Sequence, residues 1–473
     1  MDLIAEYKKW AERLLRYNQQ HLLAFWDELN DQDRTTLIQQ LEDIDFELLH
    51  SLHDLIGKKC SVNTDHAAIT PADVHRLPQT KDEFDLQREA CLAGEKALRA
   101  GTVGVILVAG GQSSRLKYES PKGTFPVGPV TRRSLFQYHT EKIVALEKKY
   151  GVEIPWYIMT NMFSIKETEA FFRQNNYFGK NPASIRFFAQ RMLPSVDAEG
   201  KALMETQFAP ALAPDGHGGL LNALRENKLI EDMVHRGLEQ LYYFQVDNPL
   251  AQICDPVFIG RHILARADIS AKTVKKSHPD EKLGNIVRTG NGYLVIEYTE
   301  LSSEEKNRKK ENGDLYFDQG SIGIHVFERG FLEKIVEQAD KMPFHVSHKR
   351  VKCIDAKGNL CDPKTPNAYK FEQFIFDVFT QTKNICVIEA ERSREFSPIK
   401  NKEGDDSPDT ARRDLCNYFG AMLQQAGYDV PKDKDGTVMW KLEISPLFAM
   451  DTDQLRKKLP NDFTPSDGLE LET

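Results

Sequence analysis

The chain has 473 residues, of which 40% are hydrophobic and 10% aromatic, which is enough apolar material for two or three packed domains and excludes a disordered protein. Acidic residues outnumber basic residues by 71 to 62, and this formal charge of −9 argues against nucleic acid as a partner. Because neither an apolar signal sequence nor a run of about 18 apolar residues is present, we expect a cytoplasmic protein without a membrane partner.

Residues 1–95 are predicted to form an N-terminal helical region. Apolar residues recur at helical spacing from Leu3 to Leu14 and again from Leu37 to Ile44. Polar residues at 30–34 separate the two patterns. The polar segment 61–81, which contains two prolines, is typical of a linker.

Strand and helix patterns alternate over residues 96–395. This alternation predicts a mixed α/β sheet with helices on its faces. Ser134 and Asp255 are expected to cap helices, the second directly before Pro256. The strand patterns cover residues 103–109, 154–160, 184–190, 241–248, 292–300 and 318–327, and the helix patterns cover 134–150, 164–175 and 255–267.

The pattern changes once more after residue 395, and we predict a small C-terminal α+β domain over residues 396–473. A polar loop at 400–410 precedes a helix pattern at about 411–426. Short strands are predicted around 438–444. The last residues, from 460 onward, are expected to be poorly ordered.

The seven cysteines are scattered, odd in number and without C-x-x-C spacing. This distribution does not indicate a disulfide framework or a zinc site. We expect reduced thiols that pack as small hydrophobic side chains.

A bare glycine pair ends the first strand pattern, in "VILVAGGQSSRLKYESPKG". Strand ends of open α/β sheets are where ligands bind, and glycine allows a nucleotide to lie against the main chain. Neither the dinucleotide fingerprint nor the P-loop motif is present. The glycines alone fit an ordinary βα turn equally well, but Arg115 and Lys122 follow them and could neutralise phosphate charge.

This segment resembles the nucleotide motif of the eukaryotic-type UDP-N-acetylglucosamine pyrophosphorylase family, among the UDP-sugar pyrophosphorylases. Further blocks resemble that family in its order, including "FFAQRMLPS", "ALAPDGHGGL", "VDNPLAQICDPVFIG" and "REFSPIKNK". The resemblance implies a central Rossmann-like nucleotidyltransferase domain between the helical region and the small C-terminal domain. It also implies a uridylyltransferase: UTP and a hexose 1-phosphate, foremost N-acetylglucosamine 1-phosphate, give a UDP-sugar and pyrophosphate by in-line attack on the α-phosphorus.

The resemblance also assigns roles to individual residues. Arg115, Lys122 and Lys400 are expected to act on the phosphates. Asp247, at a strand end, is expected to bind Mg²⁺, with Mn²⁺ as the alternative, although a turn or capping role fits it too. We expect a monomer or weak homodimer. The nucleotide residues are Ala109, Gly110, Gly111, Gln190 and Gly216, and the sugar residues are His217, Gly284, Glu297, Tyr298, Ser321, Phe374 and Phe376.

The sequence departs from the family pattern in two places. The glycine loop has Ser113, Ser114 and Lys117 where the family has Gly, Thr and Gly, so Lys117 needs a shifted loop or a strained positive φ. At the sugar end, His217 and Ser321 stand where the family usually has Asn. A His in that block is common in UDP-glucose and broad-specificity enzymes, which leaves glucose 1-phosphate as an alternative substrate.

Two further classes of function are weighed against uridylyl transfer. The altered glycine loop allows a nucleotide-binding regulatory protein without catalysis. Retention of the four charged residues expected at the phosphates and the metal argues against this alternative: Arg115, Lys122, Asp247 and Lys400. A dehydrogenase is disfavoured by the missing dinucleotide fingerprint.

Overall fold

The chain divides into two compact units, each drawn from several stretches of sequence. A computed structural model describes residues 2–57, 69–111, 115–290, 292–298, 300–460 and 462–472. The first unit comprises 1–64, 190–222 and 340–375, and the second comprises 65–189, 223–339 and 376–473. The sequence predicts three consecutive domains, and this division into two units does not test that prediction.

The structure contains the predicted strands and helices together with elements that the patterns did not predict. The helices are α1 (Leu3–Arg16), α2 (Asp31–Glu42), α3 (Phe46–Leu52), α4 (Lys81–Arg99), α5 (Leu135–Tyr150), α6 (Ile165–Gln174), α7 (Leu220–Glu226), α8 (Leu229–His235), α9 (Pro256–Leu264), α10 (Ser303–Asn307), α11 (Arg329–Glu337), α12 (Arg392–Glu395), α13 (Pro408–Ala426) and α14 (Thr452–Lys458). The strands are β1 (Thr70–Pro71), β2 (Val74–His75), β3 (Val103–Val108), β4 (Trp156–Asn161), β5 (Ile185–Gln190), β6 (Met192–Pro194), β7 (Met204–Thr206), β8 (Ala209–Pro210), β9 (Leu212–Pro214), β10 (Gln240–Gln245), β11 (Ile269–Lys275), β12 (Asn285–Thr289), β13 (Gly292–Ile296), β14 (Gln319–Glu328), β15 (His345–Lys349), β16 (Cys353–Ile354), β17 (Leu360–Cys361), β18 (Ala368–Glu372), β19 (Ile385–Glu389), β20 (Leu442–Ile444) and β21 (Leu469–Leu471).

A large mixed sheet organises the second unit, in the order β2-β19-β11-β14-β10-β3-β4-β5. Strand β3 pairs in parallel with β4 and β10, and β11 pairs in parallel with β19. Strand β14 is antiparallel to both β10 and β11. Every residue of β3 is buried, as expected for a strand covered on both faces. The predicted mixed, mostly parallel α/β fold is confirmed.

Helix boundaries lie where the capping residues indicate. The Ser134 side chain accepts from Gln137 N at the start of α5, and Asp255 accepts from Val257 N at the start of α9. Helix α4 was not predicted, although Thr80 and Glu83 form a capping box at its start. It packs closely on α9, because a Cβ on Gly94 would overlap the carbonyl oxygen of Pro256.

The C-terminal segment is more ordered than the sequence suggested. The expectation of a poorly ordered end is wrong for residues 469–471, because β21 pairs in parallel with β20. Glu443 of β20 is fully buried and accepts from Arg133 at 3.0 Å and from the Tyr138 hydroxyl at 2.8 Å. The predicted helix begins slightly earlier than expected, at Pro408.

The first unit combines N-terminal helices with small antiparallel ribbons. Helices α1 to α3 confirm the predicted helical start, and Asn30 caps α2 as the break at 30–34 indicated. The ribbons are β6 with β9, β7 with β8, β15 with β18 and β16 with β17. Part of the predicted linker, 61–68, lies outside the described residues. No helix within the described ranges is long and apolar enough to cross a membrane.

Candidate active site

The glycine pair lies where the strand pattern predicted, at the carboxyl edge of the main sheet. Strands β3, β10 and β11 run in the same direction, so their carboxyl ends share this edge. Ala109 N donates to Met159 O at 2.8 Å, and Gly110 O accepts from the Asn161 side chain at 2.8 Å. Gly111 is exposed, and among the described residues no atom lies within 4 Å of where its Cβ would be. A flat ligand can therefore approach this backbone closely.

Two lysines distant in sequence face one carboxylate at the same edge. Lys122 Nζ lies 3.2 Å from Asp247 Oδ2, with their side chains 14% and 11% exposed. Burial opposes ionisation of Asp247, but the charges of Lys122 and Lys400 outweigh it and hold its pKa below the ordinary value. We call Lys122, Asp247 and Lys400 the phosphate cluster. Arg115 is exposed. The preceding residues 112–114, which include Ser113 and Ser114, lie outside the described ranges.

Glycine places Lys122 in this cluster. Lys122 opens a single 3₁₀ turn, Lys122–Thr124, directly after Pro121. A Cβ on Gly123 would overlap the ring of Phe136, which is fully buried at the start of α5. The "PKG" motif thus fixes a turn against the helix and leaves the lysine side chain to reach Asp247.

Backbone hydrogen bonds join the two segments that carry Asp247 and Lys400. Ile399 N donates to Asp247 O at 2.9 Å, and Ser397 N donates to Asn248 Oδ1 at 3.1 Å. The Asn248 amide in turn donates to Glu395 O at 2.7 Å. The segment that carries Lys400 is therefore fastened directly to the segment that carries Asp247.

A buried lysine stabilises the junction between the segments that carry Asp247 and Lys400. Lys272 of β11 is 2% exposed and lies 2.8 Å from Glu395 Oε2 and 2.9 Å from Asp255 Oδ2. Although burial lowers its pKa, these two carboxylates outweigh burial and raise it above the ordinary value. Glu395 also accepts from Gln252 N at 2.9 Å. Lys272 also lines a cavity of about 760 Å³, and none of the predicted site residues is among the residues that line it.

Asp406 is a carboxylate at the site that the sequence analysis missed. Its carbonyl oxygen accepts from Lys400 N and Asn401 N at 2.7 and 2.9 Å. Burial and the negative charge of Asp247 raise its pKa, while Lys400 opposes this shift. The polar loop 400–410 contains several acidic residues, so no sequence signal distinguished Asp406 from its neighbours.

Lys117 adopts the strained backbone that its substitution for glycine predicted. Its φ is +53°, in the left-handed region that non-glycine residues rarely adopt. The preceding residue, Leu116, is buried in the core of the second unit. The loop therefore keeps a glycine-like conformation although it has a lysine at this position.

Three predicted sugar residues meet in the second unit. Ser321 N donates to Gly284 O at 2.8 Å, and a Cβ on Gly284 would lie 3.5 Å from Glu297 Oε1. Ser321 opposes Thr273 near the carboxyl end of β11, so this group lies at the same sheet edge. Tyr298 is half-buried beside Glu297, and Phe376 is half-buried in the same unit.

The other predicted residues lie in the first unit, where three rings form a stack. The His217 and Phe374 ring centroids are 5.3 Å apart and nearly parallel, and those of Phe374 and His345 are 4.3 Å apart. We call His217, Phe374 and His345 the ring stack. His345 was not predicted. Gln190 is buried at the end of β5, and Gly216 has a φ of +87° and lies against the backbone of Gln373.

His217 is held neutral with a defined tautomer. Its Nδ1 accepts from Ile375 N at 3.1 Å, so the ring proton is on Nε2. Burial and the neighbouring His345 lower its pKa to about 4. Near neutral pH, His217 is therefore a hydrogen-bond donor through Nε2.

Comparisons with known proteins agree with this architecture. The family model described as UTP–glucose-1-phosphate uridylyltransferase matches residues 51–406. The chain belongs to this family. It is 37% identical to the human UDP-N-acetylhexosamine pyrophosphorylase-like protein 1, with 88% of this chain and 85% of that protein covered. It is 36% identical to the yeast (Saccharomyces cerevisiae) UDP-N-acetylglucosamine pyrophosphorylase, covering 89% and 91%.

A solved structure of the uridine diphosphate N-acetylglucosamine pyrophosphorylase from Trypanosoma brucei, in complex with an inhibitor, has the same fold. Its TM-score is 0.80 at 26% identity, with 96% of this chain and 94% of that chain covered. Membership of the uridylyltransferase family confirms the resemblance read from the glycine motif. It also confirms that the chain is an enzyme of the nucleotidyltransferase class.

Proposed function

We propose that this uridylyltransferase-family enzyme converts UTP and N-acetylglucosamine 1-phosphate to UDP-N-acetylglucosamine and pyrophosphate. The phosphate cluster, at the same sheet edge as the exposed Gly111, carries the proposal. Two reacting anions must be brought together, and Lys122 and Lys400 supply positive charge at the sheet edge where Gly111 is exposed. The names of the yeast and Trypanosoma brucei proteins support this substrate class.

The reaction needs positioning and charge neutralisation, and no protein nucleophile. A phosphate oxygen of the sugar 1-phosphate attacks the α-phosphorus of UTP in line, and pyrophosphate leaves from the opposite side. We assign Lys122 and Arg115 to the triphosphate and the leaving pyrophosphate. Lys400 is assigned to the sugar phosphate on the family resemblance, and the Ile399 N–Asp247 O bond fastens its segment to that of Asp247.

Asp247 fits a magnesium ion that is shared with the substrate phosphates. No group of three or more His, Cys, Asp or Glu side chains suited to a metal occurs within the described residues. Mg²⁺ nevertheless commonly binds one or two carboxylates and completes its shell with phosphate oxygens and water. The lowered pKa of Asp247 keeps it ionised for this role. The ion, with Mn²⁺ as an alternative, would supply charge neutralisation between the reacting phosphates.

The sugar specificity is the finer part of the proposal. N-acetylglucosamine 1-phosphate is favoured by the relatives' names, and glucose 1-phosphate is the second candidate because His217 replaces the usual Asn. We propose that His217 contacts the sugar as a neutral ring, whose orientation is set by the bond from Ile375 N to Nδ1.

Pyrophosphate release tests the proposal directly. The protein is incubated with UTP, Mg²⁺ and each of a panel of sugar 1-phosphates, with Lys122→Ala as a control of strongly reduced activity. We expect release with N-acetylglucosamine 1-phosphate above all others. Release with glucose 1-phosphate alone would select the second candidate. UTP binding without release on any sugar would overturn catalysis and favour a nucleotide-binding regulatory protein.

A further inference from the structure

Two cysteines lie directly opposite each other in the first unit. In the ribbon of β16 and β17, Cys353 is the register partner of Cys361. Opposed residues of an antiparallel pair project from the same face with Cα atoms about 4.5–5.5 Å apart. A disulfide needs Cα atoms about 4.4–6.8 Å apart, so the Cα spacing expected of this pair suits a disulfide.

The register of this ribbon is fixed by its turn. Asp355 Oδ1 accepts from Lys357 N at 2.8 Å and from Asn359 N at 2.9 Å, and Asp355 N donates to Asn359 O at 2.9 Å. Gly358 has a φ of +79°, and a Cβ there would lie 2.7 Å from Gln207 Nε2. Because the turn is closed by these bonds and seated against a neighbouring segment, the two cysteines stay opposed.

These thiols differ from the other described cysteines in access and in pairing. Both are partly exposed, whereas Cys254, Cys386 and Cys416 are buried. Burial raises the pKa of Cys353, and the charge of Cys361 raises it further, which indicates that the two sulfur atoms lie within electrostatic range. Cys91 is partly exposed but lies within helix α4, where no strand partner opposes it.

We propose that Cys353 and Cys361 form a reversible disulfide, a thiol modification site separate from the uridylyl-transfer site. Hydrogen peroxide is the oxidant. The S–S bond forms as the O–O bond breaks, and the two thiol protons leave with the two oxygens as water. A dithiol reductant returns two electrons and two protons to the sulfur atoms and restores the reduced pair.

The disulfide would cross-link the ribbon of β16 and β17 close to the start of strand β18, which leads to the ring stack. The Asn367 amide donates to Cys353 Sγ at 3.8 Å and to Val351 O at 3.0 Å, and Asn367 directly precedes β18. Strand β18 runs to Glu372, shortly before Phe374. Oxidation would therefore restrain the Lys349–Ala368 end of the ribbon of β15 and β18, and the ring stack lies at its other end.

Tryptic peptide mapping tests this site in the intact protein. The folded protein is treated with hydrogen peroxide, its remaining thiols are alkylated, and it is digested with trypsin. Cleavage after Lys352, Lys357 and Lys364 places Cys353 and Cys361 on different peptides. We expect these two peptides to be linked after oxidation and to separate after reduction with a dithiol.

Serine variants provide the matched controls. Cys353→Ser and Cys361→Ser should each abolish the linked peptides, and Cys91→Ser should retain them. Recovery of both peptides unlinked from oxidised wild-type protein would overturn the proposal. So would a link from either cysteine to Cys91 or to a second copy of the chain. Because the decisive result comes from wild-type protein, failure of a variant to fold leaves the test intact.

Discussion

The phosphate cluster and the ring stack are organised by different forces. In the phosphate cluster, charged side chains from distant parts of the sequence interact with one another. Backbone hydrogen bonds, such as that from Ile399 N to Asp247 O, hold their segments together. In the ring stack, His217 and Phe374 pack as rings, and His217 remains neutral. A charged cluster should control the rate, whereas a neutral stack should control the choice of sugar. Substitutions can separate these two expectations.

The largest expected effect comes from the support beneath the phosphate cluster. Lys272→Met leaves the buried Glu395 and the partly exposed Asp255 without their lysine, and we expect a loss of about 3–5 kcal/mol in the free energy of unfolding. Urea denaturation measures it. Lys275→Met, on the same strand but exposed and paired with Asp314, should change stability little.

A double variant refines this prediction. Lys272→Met with Glu395→Gln removes one of the two uncompensated charges and should recover part of the lost stability. A single variant as stable as the wild type would contradict the supporting role of Lys272.

The next largest effect is expected at the phosphate cluster itself. Lys122→Ala removes a cation from developing phosphate charge and should lower kcat/KM by about 10²–10³-fold. The loss of stability should be far smaller, because Lys400 still faces Asp247. Steady-state pyrophosphate release and thermal unfolding are measured together.

Lys402→Ala is the matched control for this variant. Lys402 is an exposed lysine close to Lys400 in sequence, and its removal should leave kcat/KM unchanged. Equal losses of rate and stability in Lys122→Ala would count against its catalytic role.

The sequence predicted local structural features better than it predicted tertiary contacts, for physical reasons. Strand β3 and the caps Ser134 and Asp255 are local features, and periodicity and capping chemistry identified them. The approach of Lys122 to Asp247 is a tertiary contact, and only the family resemblance indicated it.

Other features were missed because their signals were weak or absent. The capping box at Thr80 did signal helix α4, but it was overlooked in a segment interpreted as a linker. Lys272 looks like any strand residue until Asp255 and Glu395 surround it. Strand β21 is short, and its order depends on pairing with β20, which no local pattern reveals.

Acid sensitivity distinguishes the neutral ring stack from the charged cluster. The pKa of His217 is lowered from 6.5 to about 4 in the folded chain, so between these values the unfolded state binds more protons. Stability should therefore fall as the pH drops from 6.5 towards 4, by at most about 1.4 kcal/mol per pH unit for this residue.

His217→Asn should reduce this slope in denaturant titrations at pH 7, 6 and 5. The slope should not vanish, because buried His139 and His262 also have lowered pKa values, about 3 and 4. A variant slope equal to that of the wild type would show that His217 is not held neutral.

The same substitution tests the choice of sugar. His217→Asn restores the residue usual in N-acetylglucosamine enzymes, and we expect the ratio of kcat/KM for N-acetylglucosamine 1-phosphate over glucose 1-phosphate to rise about tenfold, or about 1.4 kcal/mol. Ser321→Asn, in the second unit, makes the corresponding change at the other predicted contact. An unchanged ratio in His217→Asn would make His217 a bystander.

The smallest expected effect concerns Lys117, where backbone strain and charge can be separated. Its φ of +53° costs a non-glycine residue about 1 kcal/mol or more, so Lys117→Gly should be more stable than Lys117→Ala by about that amount. Both variants lose the same cation. If the Lys117 charge contacts UTP, both should raise the KM for UTP equally, and if the residue only shapes the loop, Lys117→Gly should retain the wild-type KM. Equal stability of the two variants would show that the left-handed conformation carries no cost here.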